Sequence, residues 1–242
     1  MPNIHAFATQ SDLSAAAADL FVQLATASQK PLFFVALSGG STPQALFKLL
    51  ATPPYANALP WEQIHFFWGD ERLVSPDDPG SNYGQAKALL FDHVPIPAAN
   101  IHRVKGELPS GLAIVDYVDQ LNQAVDDCGR AWPHFDLCLM GMGADGHTAS
   151  LFPGPISTVE KTQPVMTVTA VYEDRPANRL TLTPLVFNDA RYVLFLVTGE
   201  KKAEAVTAVL HGPPDPEKWP AQRIQPHHGQ MDWFLDQAAA GQ

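Results

Sequence analysis

Short, nearly uninterrupted runs of apolar residues recur along the chain. The four clearest runs are Leu32–Leu37, Ile64–Trp68, Phe135–Met140 and Tyr192–Val197. A strand that is apolar at almost every position is covered on both faces, as strands in parallel sheets usually are. These runs therefore predict the central strands of a parallel sheet.

Segments in which apolar residues follow a helical spacing lie around these strands. We predict helices over Pro43–Leu50, Ser81–Phe91, Ser110–Asp127 and Glu200–Leu210, and a first helix that contains the alanine run Ala15–Ala18. Between Ser110 and Asp127 the apolar positions are Leu112, Val115, Val118, Leu121 and Val125. Aspartates fall between them, which indicates a helix with a solvated acidic face.

Two later segments alternate between apolar and polar residues. Val165–Val171 and Arg179–Thr183 predict an antiparallel pair or a sheet edge. Trp233–Leu235 predicts a last strand, followed by an alanine-rich helix that Asp236 would cap. Strands that alternate with helices predict an α/β fold, with a mostly parallel, Rossmann-like sheet flanked by helices on both faces and a small additional antiparallel element. No linker divides the chain convincingly, so we expect a single domain over residues 1–242.

Composition and charge narrow the classes of function. The 242 residues are 46% hydrophobic, and 15 Lys and Arg against 25 Asp and Glu give a formal net charge of −10. Such a chain can bury a core, whereas its pI near 5.2 argues against a nucleic-acid surface. No apolar run reaches the roughly 20 residues that span a bilayer, and the N-terminus lacks the pattern of a secretory signal. Because Cys128 and Cys138 are the two cysteines, we expect a reducing, cytoplasmic location.

In open α/β sheets ligands bind beyond the carboxyl ends of the strands, and four such junctions carry candidate residues. The first junction is Ser38–Pro43. Gly39 and Gly40 let the backbone approach a ligand, and N–H groups at the start of the next helix favour an anion such as phosphate. Ser41 belongs to the same loop, and Thr42 is the expected N-cap. A plain strand–helix turn that binds nothing explains this segment equally well.

Charged residues follow two further strands. Asp70 and Arg72 lie in a Gly-Asp-Glu-Arg segment, where an arginine fork matches phosphate or carboxylate. A surface ion pair is the favoured explanation of that segment by itself. Lys202 lies near a predicted helix N-terminus, where a cation is unfavourable, so it is a candidate anion ligand, with a solvated lysine as the default alternative. Arg179 is a further candidate anion ligand.

The remaining junction, Gly141–Thr148, reads G-x-G-x-x-G after a strand. A dinucleotide site would need a helix and then a strand with an acidic residue, but prolines interrupt the segment that follows. His147 has few local packing partners in such a loop, and Asp145 lies two residues away. We therefore favour a general base at His147 over a structural histidine.

No sequence feature indicates a metal or another cofactor. His227 and His228 are adjacent, so they do not present two ligands on one helical face. No G-x-S-x-G elbow nominates a serine nucleophile. We expect neither a metal nor a cofactor in the reaction.

Several motifs together resemble the 6-phosphogluconolactonase family over nearly the whole chain, from about Leu32 to Ala240. In the family's order they are LSGGSTP (37–43), WGDERLV (68–74), SNYG (81–84), GMGADGHTASLFPG (141–154), RLTLT (179–183), LFLVTGEKKA (194–203), PAQRIQP (220–226) and WFLDQAA (233–239). The GADGHTASLFPG block and the order of the set are specific, whereas SGGSTP by itself is not. The segment after Gly154 is shorter than the family's pattern.

The resemblance implies a parallel-sheet fold of the sugar-phosphate isomerase and deaminase type. It also implies hydrolysis of 6-phospho-D-glucono-1,5-lactone to 6-phosphogluconate, the second step of the pentose phosphate pathway. His147 would be the base, Asp145 would orient its loop, and Arg72 and Lys202 would bind the anion. Backbone N–H groups of the two glycine loops would lie near the lactone carbonyl, which makes Gly143 and Gly146 substrate-binding candidates. The expected partner is the phosphorylated sugar lactone, bound by a monomer or a weak homodimer.

Two alternatives stay open. Glucosamine-6-phosphate deaminases share the architecture, but they resemble Asp-Glu-Tyr where this chain has Asp70-Glu71-Arg72, and Ile-Ala-Phe-Asn-Glu-Pro where it has residues 148–153. A non-catalytic sugar-phosphate sensor would normally carry a DNA-binding segment, for which we expect no room before Leu32.

Overall fold

Six parallel strands form the main sheet of the computed structural model, which describes residues 2–125, 132–171 and 175–242. The strands in chain order are β1 (Asn3–Phe7), β2 (Phe33–Leu37), β3 (Ile64–Trp68), β4 (Asp70–Arg72), β5 (Leu137–Met140), β6 (Val165–Thr169), β7 (Asn178–Leu182), β8 (Tyr192–Val197) and β9 (Gln230–Asp236). The main sheet has the order β1-β9-β8-β5-β2-β3. Every residue of β2, β5 and β8 is buried, which explains their continuous apolar sequences and confirms the predicted parallel sheet.

Helices connect and cover the strands. They are α1 (Gln10–Ala27), α2 (Ser41–Leu50), α3 (Tyr55–Ala58), α4 (Asn82–Leu89), α5 (Ser110–Gln123), α6 (Val159–Thr162), α7 (Pro184–Phe187) and α8 (Ala203–His211). Short 3₁₀ turns lie at Phe91–His93, Ala98–Asn100, Glu200–Lys202 and Pro220–Arg223. No helix in the described parts of the chain is long and apolar enough to cross a membrane.

The small antiparallel element is also confirmed. β7 pairs with β6 on one side and with β4 on the other. The sequence did not predict β4, because three consecutive charged residues give no strand pattern. β1 was missed as well, since four of its five residues are exposed and it lies at the edge of the sheet.

The predicted boundaries of several helices are wrong by a few residues. α2 begins at Ser41 because Gly40, with a φ of +108°, makes the turn into the helix, so the predicted N-cap at Thr42 is incorrect. α8 begins only at Ala203, after a 3₁₀ turn. α5 ends at Gln123, and the predicted extension towards Asp127 runs into residues outside the described ranges.

The buried face of α5 matches the predicted one only in part. The predicted Leu121 is fully buried, but Leu112 and Val115 are 58% and 57% exposed. Ala113 and Tyr117, which were not predicted, are fully buried instead. The Tyr117 hydroxyl donates a hydrogen bond to the Trp68 carbonyl (2.7 Å) and accepts one from the Trp68 N–H (2.8 Å). A count of apolar residues missed this face because tyrosine is amphipathic and can be buried once its hydroxyl is paired.

The predicted C-terminal helix is a turn instead. Asp236 accepts a hydrogen bond from the Ala239 N–H (2.7 Å), as a cap would. Gly241, with a φ of +73°, departs from helical geometry two residues later, so a single turn forms. Asp236 also accepts a hydrogen bond from the Gly199 N–H (3.0 Å), which ties this turn to the loop after β8.

Candidate functional site

The carboxyl ends of β2, β5 and β8 lie side by side, so the loops that follow them meet at one edge of the sheet. A cleft of about 200 Å³ opens there. The predicted site residues that line it are Gly39, Gly40, Ser41, Thr42, Asp70, Arg72, Gly143, His147, Arg179 and Lys202. Asp145 and Gly146 belong to the same loop as His147 but do not line the cleft.

Other residues of the cleft were not named individually as binding candidates. Ser38, Pro43, Gly141 and Met142 lie within the predicted junctions, whereas sequence reasoning missed Asn82, Arg175 and Leu196; Ala149 directly follows the junction Gly141–Thr148. Asn82 lies in the SNYG motif, which was recognised without a role, and its amide donates a hydrogen bond to the Asp70 carbonyl (2.8 Å). Arg175 is an exposed residue between β6 and β7, and no pattern around it indicates a function.

His147 and Asp145 form a hydrogen-bonded pair. The Nδ1 atom of His147 lies 2.6 Å from Oδ1 of Asp145, and the His147 N–H donates to the same oxygen (3.2 Å). Burial works to raise the pKa of Asp145, but hydrogen bonds and charge attraction from His147 outweigh it and lower the pKa below its usual value. An ionised Asp145 accepts a hydrogen bond from Nδ1–H of the neutral imidazole, which leaves the lone pair of the ring on Nε2.

Gly143 and Gly146 make the geometry of this pair possible. A Cβ atom at Gly143 would lie 2.2 Å from His147 Nδ1 and 2.7 Å from Asp145 Oδ1. Gly146 has a φ of +76°, and a Cβ atom there would lie 2.6 Å from the Trp219 ring. The N–H of Gly143 donates to the His147 carbonyl (2.9 Å) and that of Gly146 to the Gly143 carbonyl (3.0 Å). Both N–H groups therefore form hydrogen bonds within the loop.

The charged segment after β3 is buried, not solvated. Asp70, Glu71 and Arg72 are at most 6% exposed and form β4. Side chains alternate along a strand, and Asp70 and Arg72 line the cleft whereas Glu71 does not. The Arg72 guanidinium donates to the Gly80 carbonyl (2.6 Å). The interpretation of this segment as a surface ion pair is wrong.

Glu71 supports the start of α4. Its carboxylate accepts hydrogen bonds from the N–H groups of Asn82 and Tyr83 (both 2.7 Å) and from the Ser81 hydroxyl (3.1 Å). Burial raises the pKa of Glu71 to about 7, although the backbone N–H groups of Tyr83, Asn82 and Arg72 act in the opposite direction.

Positive charge predominates in the cleft of a chain that carries a net charge of −10. Its charged lining residues are Asp70, Arg72, Arg175, Arg179 and Lys202, beside His147. Four cations thus face one carboxylate, and that carboxylate already accepts a hydrogen bond from the buried Ser150 hydroxyl (2.7 Å). A cleft lined with cations concentrates anionic ligands.

A direct contact joins the loop after β2 to the loop after β8. The Thr42 hydroxyl lies 2.8 Å from the hydroxyl of Thr198, which precedes Gly199 and Lys202. The first N–H groups of α2 have no partner within the helix, as at every helix start, and favour an anion. Lys202 ends a 3₁₀ turn at the cleft, whereas its neighbour Lys201 is exposed and does not line the cleft.

A larger cavity of about 460 Å³ lies elsewhere, between α8 and the start of β9. Apolar side chains and prolines line most of it, and it contains none of the predicted site residues. We regard the smaller cleft as the candidate site because titratable side chains converge there. Within the described ranges, no cluster of three or more His, Cys, Asp or Glu side chains could hold a metal ion.

Comparisons with known proteins find similar sequences and structures over most of the chain. Residues 8–233 match the family described as glucosamine-6-phosphate isomerases/6-phosphogluconolactonase. A protein of Aggregatibacter actinomycetemcomitans named 6-phosphogluconolactonase is 41% identical over 206 residues, 85% of each chain. The crystal structure of a protein called devB matches with a TM-score of 0.90 at 38% identity, over 100% of this chain and 99% of that one. A 6-phosphogluconolactonase from Trypanosoma brucei matches with a TM-score of 0.85 at 30% identity, over 100% and 98% of the two chains.

Proposed function

Because this chain belongs to the glucosamine-6-phosphate isomerase/6-phosphogluconolactonase family, we propose that it hydrolyses 6-phospho-D-glucono-1,5-lactone to 6-phosphogluconate, the second step of the pentose phosphate pathway. The observation that carries the proposal is the His147–Asp145 pair at the edge of a cleft lined with cations. Hydrolysis of a phosphorylated ester requires a proton acceptor for the attacking water and a surface that binds the phosphate group. Relatives named for this activity match most of the chain.

His147 acts as the base in the proposed reaction. Nε2 takes a proton from water while the water oxygen attacks the lactone carbonyl carbon and forms a tetrahedral oxyanion. The oxyanion collapses, and the bond between that carbon and the ring oxygen breaks. The imidazolium returns its proton to the ring oxygen, which becomes a hydroxyl group. Asp145 keeps the imidazole in the required tautomer and stabilises its charged form.

Donors for the substrate's anionic groups come from outside the histidine loop. The loop of Gly39 and Gly40 leads into the first turn of α2, where backbone N–H groups would bind an anionic group of the substrate. Arg72, Arg179 and Lys202 supply positive charge for the phosphate group, which lies far from the reacting carbon and contributes binding energy that positions the lactone.

The rival activity within the family is deamination of an amino-sugar phosphate. The deaminase-like sequences carry a glutamate associated with ring opening, and Phe152 stands at that position here. The deciding experiment compares two reactions of the purified protein. We expect freshly generated 6-phosphogluconolactone to disappear much faster than it does spontaneously, and glucosamine 6-phosphate to release no ammonia. Ammonia release without lactone consumption would make the protein a deaminase, and binding without either reaction would make it a sensor.

We also propose that the chain acts as one domain, as a monomer or weak homodimer in the cytoplasm. The pairing of β1 with β9, which joins Asn3 to Asp232, supports a single domain. The described cysteine, Cys138, is fully buried in the core, which suits a reducing compartment; Cys128 lies outside the described residues.

A further inference from the structure

Phe152 contacts two residues of the cleft, although the proposed mechanism gives it no part. Its ring packs against the His147 imidazole, with the ring centroids 4.7 Å apart and the planes inclined by 29°. The central carbon of the Arg179 guanidinium lies 5.3 Å from the centroid of the same ring. One half-buried aromatic side chain therefore contacts both the proposed base and a proposed anion-binding residue.

Packing of Phe152 against the imidazole face restricts a motion of the His147 ring that the hydrogen bond to Asp145 does not restrict. The hydrogen bond to Asp145 holds His147 through one ring nitrogen and does not by itself fix the tilt of the ring about that bond. An aromatic ring against the imidazole face restricts this tilt. Together the two contacts determine where Nε2 points. This matters because a misplacement of about 1 Å can lower a catalytic rate about 100-fold.

The backbone of Phe152 is itself fixed by a buried ion pair. Arg223 Nη2 donates to the carbonyls of Phe152 (3.3 Å) and Gly154 (3.0 Å), and Nε donates to the Pro216 carbonyl (2.8 Å). Nη1 of the same guanidinium lies 3.1 Å from the Glu160 carboxylate, and the two side chains are 4% and 5% exposed. A guanidinium with this many directed contacts holds the segment in one place.

We propose that Phe152 is a positioning residue for His147, and that the Arg223–Glu160 pair holds Phe152 in place through its backbone carbonyl. The inference rests on the proposed lactone hydrolysis. Leu151, the preceding residue, is fully buried in the core, whereas Phe152 is half-buried and faces the cleft residues. Leu151 therefore provides the core packing of this segment, and the ring of Phe152 is available to contact His147.

Kinetics of Phe152→Leu and Phe152→Tyr provide the first test. Leucine keeps an apolar side chain but loses the flat ring, so we expect kcat to fall about ten- to a hundred-fold, with a smaller change in KM. Phe152→Tyr keeps the aromatic ring and should retain most of the wild-type kcat. Phe7→Leu is the matched control, because Phe7 is also half-buried and packs on an aromatic ring outside the cleft. Wild-type kcat in Phe152→Leu, or equal losses in the leucine and tyrosine variants, would overturn the proposal.

A second readout does not depend on turnover. The ring current of Phe152 displaces the NMR signals of the His147 ring protons, and this displacement should persist in Phe152→Tyr and disappear in Phe152→Leu. Unchanged His147 signals in Phe152→Leu would contradict the positioning role. If the signals respond as expected but the wild-type protein leaves the lactone intact, the proposed function fails and the positioning of His147 stands.

Variants of the ion pair test the second half of the proposal. Arg223→Lys keeps the charge but loses the branched set of donors, and Glu160→Gln keeps the shape of the partner. In the folded protein, both should lower kcat and shift the His147 signals as Phe152→Leu does. Folded variants that retain wild-type kcat and His147 signals would show that the pair is only structural. If neither variant folds, the milder Glu160→Asp takes their place, with the same two readouts, and wild-type values of both would contradict the role of the pair.

Discussion

Arg72 on β4 and Arg179 on β7 lie directly opposite each other in an antiparallel pair, and they are only 6% and 2% exposed. Like charges at directly opposed positions destabilise a sheet, and burial adds the cost of removing them from water. An anion bound in the cleft would lower both costs. The pairing therefore supports the proposed binding of an anionic substrate.

Arg72→Ala and Lys202→Ala should each weaken the use of the phosphorylated substrate. A lost charged hydrogen bond costs about 1.5–3 kcal/mol, which lowers kcat/KM roughly ten- to a hundred-fold. Glucono-1,5-lactone has no phosphate, so its kcat/KM should fall less and the discrimination between the two lactones should shrink. The measurement is the ratio of kcat/KM for the two substrates in each variant.

Lys201→Ala is the matched control for Lys202→Ala, because Lys201 is the exposed neighbour that does not line the cleft. The ratio of kcat/KM for the two lactones should be the same in Lys201→Ala as in the wild type. Equal losses on both lactones in a cleft variant would show that the residue acts on the reacting carbonyl or on the fold instead of the phosphate.

The central strands and the glycine loops could be predicted from the sequence because their signals are local. A strand such as Tyr192–Val197 is apolar at every position since both faces are buried. The loop of His147 is also recognisable by its glycines. Gly143 and Gly146 are required there because a Cβ atom would clash with neighbouring groups, and Gly146 also has a positive φ. Neither inference needs knowledge of the tertiary structure.

Other features depend on contacts between distant segments and could not be predicted. β4 consists of charged residues that pair with β7 more than 100 positions later, so its sequence resembles a surface loop. The roles of Gly143 and Gly146 in shaping the loop appear only when His147 and Trp219 are in place. The same holds for the contact between Phe152 and His147.

Gly143→Ala should damage activity far more than stability. The added Cβ atom would lie 2.2 Å from His147 Nδ1, so the imidazole has to move away from Asp145. We expect kcat to fall at least tenfold while the protein stays folded, as measured by kinetics and thermal unfolding. Gly111→Ala is the control, because an alanine Cβ there meets nothing within 4 Å and α5 gains a better helix former. Full activity in Gly143→Ala would mean that the His147–Asp145 contact is dispensable.

The stability of the protein should depend on the protonation of Glu71. Its pKa is raised from 4.5 to about 7, so the folded state holds a proton that the unfolded chain releases. The stabilising contribution is therefore complete below pH 4.5 and is lost as the pH rises through about 7. The pKa difference corresponds to roughly 3 kcal/mol in the free energy of unfolding.

Denaturant unfolding between pH 4.5 and pH 8 tests this dependence, over the interval that the raised pKa defines. In Glu71→Gln the free energy of unfolding should decline less with rising pH than it does in the wild type. This holds whether the substitution raises or lowers that free energy at any one pH. Glu62→Gln, at an exposed position, should keep the wild-type slope. An unchanged slope in Glu71→Gln would assign the pH dependence to other groups.

Lactone hydrolysis should survive exhaustive chelation. A general base and positioned donors suffice to catalyse hydrolysis of a reactive ester, since general base catalysis raises the rate by about 10²–10⁴-fold. The measurement is kcat before and after dialysis against EDTA. Loss of activity that one specific divalent cation restores would reveal a metal requirement and contradict the metal-free mechanism.

The turnover number of His147→Ala on freshly generated 6-phosphogluconolactone, corrected for spontaneous hydrolysis, tests the central claim most directly. We expect a folded protein whose kcat is lower than that of the wild type by about two to four orders of magnitude, because the proton acceptor is gone. A folded His147→Ala protein with near-normal kcat would contradict the assignment of His147 as the base.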